Sequence, residues 1–142
     1  MAVYSLANLT IGTASGAAAI ELRTTATDRV SVTEIGAFLN AATASIIGIG
    51  RPAAIGITPT TPITWLAEDP ASPAGTAQTA LAWATGPTVP ANFFRRVNVP
   101  ATIGAGFVLT FPRGLVIAVS SGLVLWNLQL NSALNCHFTG DE

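Results

Sequence analysis

Side-chain chemistry in this sequence has to begin at His137, which is the only histidine, next to Cys136, which is the only cysteine. A Ser-His-Asp or Cys-His arrangement must therefore use His137. In the run Leu134-Asn-Cys-His-Phe-Thr139 the period of two expected of a strand puts Leu134, Cys136 and Phe138 on one face and Asn135, His137 and Thr139 on the other. The one obvious dyad is thereby split: Cys136 is expected in the core and His137 at solvent or an interface. A single cysteine forms no intrachain disulfide and completes no Cys-based metal site. The carboxylates are scattered without zinc-ligand spacing, which leaves calcium, held by loop carbonyls with Glu68 and Asp69, as the one ion-binding option. No catalytic residue, metal or cofactor is assigned.

Other residues point to contacts. Gly48-Ile-Gly50 and Gly104-Ala-Gly106 lack the helix and lysine of a phosphate loop and read as turns or bulges. Trp65, Trp83 and Trp126, with Phe107 and Phe111, would be the material for a sugar-binding platform, against the commoner fate of core or subunit packing. Trp126 lies in the most apolar segment and is expected buried, whereas Trp65 and Trp83 flank Pro-rich loops and are expected exposed. Glu34 shares parity with Val30 and Val32, while Ile35, Ala37 and Leu39 are apolar on the opposite parity. Either a β-bulge near Thr33 and Glu34 switches faces and leaves Glu34 at the surface, or Glu34 is a buried or interfacial carboxylate paired with Arg23, Arg95 or Arg113. Arg95 shares parity with Phe93, Val97 and Val99, an arrangement suited to an interface or to an edge strand facing solvent. In the strand expected over Leu123 to Leu130, Leu123 and Leu125 lie opposite Val124 and Trp126, so its first half is apolar on both faces, as where a sheet is sandwiched or meets another subunit. Trp65, Trp83, Phe93, Arg95, Leu123 and Leu125 are the candidate partner contacts.

The elements that would position these residues are strands. Short runs rich in Val, Ile, Thr and aromatics alternate with Gly, Pro, Ser and Asn clusters, which predicts an all-β fold: one jelly-roll-type antiparallel β-sandwich over residues 1–142. The Ala-rich pieces at Ala41–Ser45 and Thr76–Ala84 could instead be helical. Three stiff Pro-containing loops, Thr58–Pro62, Glu68–Gly75 and Gly86–Asn92, are candidate contact surfaces, and residues 1–11 could extend as an N-terminal arm.

Composition narrows the function. Of the 142 residues, 50% are hydrophobic and 9% charged, with a net charge of −1, where ordinary domains carry roughly 25% charged residues. Lysine is absent. That charge supplies no field for polyanions or anionic membranes, so nucleic acid and membrane are not expected partners. The uncharged stretch Gly114–Gly140 contains Asn127, Gln129, Asn131 and Asn135 and does not read as a membrane helix. The surface scaling law gives roughly 6,900 Å², or about one charge per 530 Å². With a mean hydropathy of +0.55, this predicts an obligate assembly.

The segment Gly106-Phe-Val-Leu-Thr-Phe-Pro-Arg-Gly-Leu-Val-Ile-Ala-Val-Ser-Ser-Gly-Leu-Val-Leu-Trp-Asn127 resembles the late strands of small viral jelly rolls. The chain as a whole, Ala/Thr-rich, lysine-free and Pro-looped, is similar to tailed-bacteriophage head decoration (cement) proteins. That resemblance implies a non-enzymatic virion protein on the capsid surface, a homotrimer that braces neighbouring major capsid protein subunits. The reading from another class is a carbohydrate- or receptor-binding jelly-roll module of a phage tail.

Overall fold

Period-two runs fold here as strands because each can turn one face to a shared core, and the sites where parity breaks are where the ladders bulge. The computed structural model describes residues 2–11, 16–129 and 132–142. Its strands are β1 (Val3–Leu9), β2 (Ala17–Arg23), β3 (Val30–Leu39), β4 (Ser45–Gly50), β5 (Ile57–Pro59), β6 (Pro62–Thr64), β7 (Leu66–Ala67), β8 (Gln78–Ala80), β9 (Trp83–Thr85), β10 (Arg95–Val99), β11 (Gly106–Ile117), β12 (Gly122–Asn127) and β13 (Leu134–Asp141). No described residue is helical. The Ala-rich pieces become a bend and two short strands, since pairing of β8 with β2 and β6 outweighs the intrinsic preference of alanine. Leu130 and Asn131, at the end of the expected Leu123 strand, lie outside the described residues.

Two antiparallel sheets stack. The front sheet has the order β11-β3-β13-β1-β7 and the back sheet β10-β4-β12-β2-β8-β6, with β5 and β9 forming a separate ribbon. Among the long strands, each successive one changes sheet except across the β4-to-β10 connection, whose ends both lie in the back sheet. Tyr4, Leu6, Val32, Ile35, Leu39, Leu134, Cys136 and Phe138 from the front sheet meet Ile20, Leu22, Ile47, Ile49, Leu123 and Leu125 from the back in one core. The accessible surface is 6744 Å², close to the ~6,900 Å² of a folded monomer of this mass. The chain therefore closes its own core.

The parity break at Glu34 is a bulge. Glu34 pairs with Thr139 and Val32 with Gly140, so Thr33 is the extra residue on β3. It lets Val30 and Val32 on one side and Ile35, Ala37 and Leu39 on the other all point inward. The N-terminal segment is not an arm: β1 is hydrogen-bonded between β13 and β7, and Tyr4 and Leu6 are buried in the core. Met1 lies outside the described residues.

The long excursion between β4 and β10 does two things. Its strands β7 and β8 extend the front and back sheets beyond β1 and β2. The β5–β9 ribbon, closed by an Ala54–Thr88 bridge, then lies over the outer surface of the back sheet, where Trp83, Phe93 and Leu128 pack on Ala18, Val124 and Trp126. Gly48 and Gly50 sit inside β4 and not in a turn. A Cβ at Gly48 would lie 2.8 Å from the Phe93 ring and one at Gly50 3.2 Å from Pro90, so the missing side chains leave room for the cover.

Candidate interaction surface

The two outer faces differ. The back face is spoken for by the chain's own insertion, and that corrects several expected contacts. Leu123 and Leu125 are fully buried in the sandwich core; their strand is apolar on both sides because the opposite face, Val124 and Trp126, lies under the cover. Phe93 belongs to that cover. Trp65, expected exposed, is 1% exposed: it stacks on Tyr4 at 5.2 Å between ring centroids, and its Nε1 donates to Glu142 Oε2 at 2.9 Å. Trp83 is half-buried and donates Nε1 to Glu21 Oε2 at 2.9 Å. With Trp126 also buried, as expected, the three indoles form no common platform.

Glu21 is the carboxylate that anchors the cover. Its side chain is fully buried and accepts from the Trp83 indole and from Gly56 N at 3.3 Å, with Arg23 Nε 3.8 Å away. Burial pushes its pKa up, and the Gly56 hydrogen bond, Arg23 and the Trp83 hydrogen bond oppose the rise only in part.

The front sheet's outer face is uncovered. Register aligns its outward residues in rows across the strands: Val3, Asp141, Ser31 and Val116; Leu66, Ser5, Thr139, Glu34 and Thr110; Ala7, His137, Gly36 and Val108; Leu9, Asn135, Phe38 and Gly106. Val3, Leu9, Val108 and Val116 are between 43% and 47% exposed and Leu66 is 70% exposed. At the centre the His137 ring lies across Gly36, where any Cβ would collide with it, and stacks on Phe38 at 6.4 Å. His137 Nε2 is 3.1 Å from Glu34 Oε1. Glu34 is thus a surface carboxylate paired with His137, and the expected partnership with Arg95 does not form. Glu34 lies on β3 between Thr110 of the edge strand β11 and Thr139 of β13, the strand that carries the histidine.

Arg95 instead stands at the open edge, exposed, in a cleft of about 350 Å³ with Thr110, Phe111, Pro112, Arg113 and Gly114; its Nη1 donates to the carbonyl of Phe94 at 2.8 Å.

Acid–base chemistry has little to work with. Cys136 faces the core, where burial pushes its thiol up to about 12, so no thiolate forms at neutral pH, and His137 lies on the other side of the sheet. Asp69 Oδ1 accepts from Ala71 N at 2.9 Å in a tight exposed turn. Among the described residues no three His, Cys, Asp or Glu side chains converge. What the arrangement offers is surface: an uncovered sheet face on which exposed apolar side chains stand among small and polar ones. A comparison with known protein families, curated proteins and solved structures finds no match. Sequence reasoning found Glu34 and His137 singly but missed their pairing, because residues 103 positions apart meet only through the β3–β13 register. Gly36 was the readable signal, a glycine inside a strand pattern that admits a ring across it.

Proposed function

We propose that this chain is a non-enzymatic structural protein of a virus particle, a decoration or cement protein that seats on a capsid shell and acts by binding energy alone. The observation that carries the reading is the uncovered front face, which leaves Val3, Leu9, Leu66, Val108 and Val116 in water, whereas Ala18, Val124 and Trp126 on the back sheet lie under the chain's own insertion. A sheet face exposed on a free monomer usually alternates to polar residues. This one keeps Ser5, Ser31, Thr110, Asn135 and Thr139 outward but sets five large, exposed apolar side chains among them, and a partner surface accounts for those.

The strand orders support the finer reading of a jelly roll. Setting aside the short insertion strands, β11-β3-β13-β1 faces β10-β4-β12-β2, the paired four-stranded sheets of a fold frequent in capsid proteins. Size argues for several copies. Four inter-strand steps of about 4.8 Å by roughly seven residues of 3.3 Å give a front face near 440 Å², short of the ~800 Å² per partner of a standard stable interface. One copy would hold weakly; a trimer, engaging three sites on the major capsid protein at once, would hold by avidity.

The reading as a glycan-binding tail module loses its aromatic platform, since Trp65 and Trp126 are buried and Trp83 is tied to Glu21. The deciding experiment is mass and stoichiometry on native particles with imaging of the shell. Repeated density at capsid local symmetry axes, with one ring of copies per site, is the expected result. Absence from the particle, or glycan binding that is lost on Trp83→Ala, would overturn the reading.

A further inference from the structure

The net charge of −1 conceals a segregation. Arg51, just after β4, Arg95 and Arg96 on β10, and Arg113 on β11 stand along the same lateral edge, where β10 and β11 touch. All are exposed, and none is in an ion pair among the described residues. Arg51 donates to the Val116 carbonyl at 2.8 Å and lies 4.9 Å from the centre of the Phe94 ring, and Arg96 lies over Phe93. Arg95 and Arg113 share the cleft described above, with no carboxylate in it.

The opposite edge, β7 with β8 and β6, is acidic. Glu68 and Asp69 form an exposed turn directly after β7, and Asp28 and Glu142 hydrogen-bond to Thr76 in the same region. Arg23, drawn to Glu21, and Arg29, next to Asp28 in the chain, bring positive charge toward that side, but neither adjoins Glu68 or Asp69 in sequence or in an ion pair among the described residues. Four inter-strand steps of about 4.8 Å separate the edges by roughly 19 Å, two Debye lengths at ordinary ionic strength. Within one molecule the two patches therefore do not neutralise each other. Leu66, 70% exposed, adjoins the acidic turn, and Val116, 46% exposed, adjoins the basic edge.

We propose that the Arg95–Arg113 cleft of one copy receives the Glu68–Asp69 turn of a second copy, so that the chain closes head to tail into a ring. Arginine forks seat carboxylates in bidentate geometry, and the two patches lie on different edges, so the contact is heterologous and each copy gives one edge and takes another. The proposal rests on the reading above only for the number of copies, three. It concerns the isolated protein, so its failure is distinct from a failure to bind capsid.

The test is sedimentation velocity of the full chain at micromolar concentration, in about 20 mM and about 500 mM NaCl, on the parent, on Arg95→Glu/Arg113→Glu, on Glu68→Arg/Asp69→Arg, and on the fourfold variant combining both. Expected are a single closed oligomer of the parent that weakens at high salt, at least tenfold weaker association of each double variant, and restored association in the fourfold charge swap. The swap keeps the result interpretable if a double variant folds poorly. A parent that stays monomeric at low salt, an oligomer indifferent to both reversals, or open filaments growing with concentration would overturn the ring. So would a monomeric parent whose basic edge binds an added oligoglutamate probe, which would assign that edge to a foreign acidic partner.

Discussion

Glu21 shows how a residue that looks like a liability fixes an element in place. Its folded pKa is raised, mainly by burial, so its contribution to stability is fully present below the ordinary glutamate value near 4.5 and is lost as pH rises through the higher folded value. Glu21→Gln keeps an oxygen for Gly56 N–H or the Trp83 indole and removes the charge. The parent should therefore lose stability relative to Glu21→Gln as pH rises from about 4 to 8, measured by denaturant unfolding at each pH; a difference that is flat in pH would contradict the buried-carboxylate account. Asp28 runs the other way, since hydroxyls of Thr25, Thr27 and Thr76 lower its pKa and its stabilisation is lost on acidification. Glycines test packing at the same scale. At Gly75 an added Cβ would press on the buried Trp65 ring and sit 2.9 Å from Tyr4, so Gly75→Ala should cost about 1–3 kcal/mol. At Gly36 the obstacle is the His137 ring, which can swing toward solvent; Gly36→Ala should stay within about 0.5 kcal/mol while moving the His137 imidazole resonances as the Glu34 contact breaks. The split of Cys136 from His137 was legible because two-residue periodicity needs no knowledge of neighbours. The burial of Trp65 was not, because its partner Glu142 is 77 residues away.

Among the elements, those with one apolar face were readable and those whose place is set by another strand were not. β1, β2, β3, β4, β10, β12 and β13 fall where the alternation of Val, Ile, Leu and aromatics puts them, and the bulge near Thr33 follows from parity alone. By contrast, β5 and β9 are three residues each and carry no periodic signal; they are strands only because each supplies the other with a partner. β11 is one strand with an irregularity inside it, where the register to β3 jumps from Thr110 to Leu115, with Gly114 at φ +68°. Gly48 and Gly50 read in the sequence as turns or bulges, and the cover that makes them useful inside a strand lies more than 35 residues downstream. The bulge gives a prediction at this scale. Deleting Thr33 restores strict alternation across β3, and one half of the strand must then present its apolar set to solvent. Val30 and Val32 would leave the core, or Ile35, Ala37 and Leu39 would. The variant should lose the cooperative unfolding transition of the parent, followed by near-UV circular dichroism of the buried tryptophans, whereas Thr33→Ser, which keeps the extra residue, should unfold as the parent does.

At the level of the whole molecule, composition supplied the sum of charges and not their arrangement. A near-neutral, lysine-free chain predicts contacts only weakly sensitive to salt, an expectation that applies to the front face, whose aligned outward rows carry charge only at Glu34, Asp141 and, when protonated, His137. It does not hold for the lateral edges, where four arginines and four carboxylates stand roughly 19 Å apart. The inference from hydropathy that much apolar area needs a partner also has to be narrowed, because Leu123, Leu125 and Trp65 are satisfied inside one chain. The two proposals assign the front face to the shell and the edges to other copies, and the two roles can be separated. Leu9→Arg with Val108→Arg places cations on the front face, at residues 47% exposed, without touching the core, the cover or either edge cleft. The ring should keep its mass in this variant, while occupancy on purified particles drops at least tenfold, since a charge set against an apolar contact loses its hydration without gaining a partner. For the parent, occupancy measured at rising salt should fall only as far as the ring itself opens, because the face contact has little charge to screen. Unchanged occupancy of Leu9→Arg/Val108→Arg would remove the front face as the capsid-facing surface and shift that role to the exposed Pro-stiffened loops of the insertion, whose variants would then be the ones that release the protein.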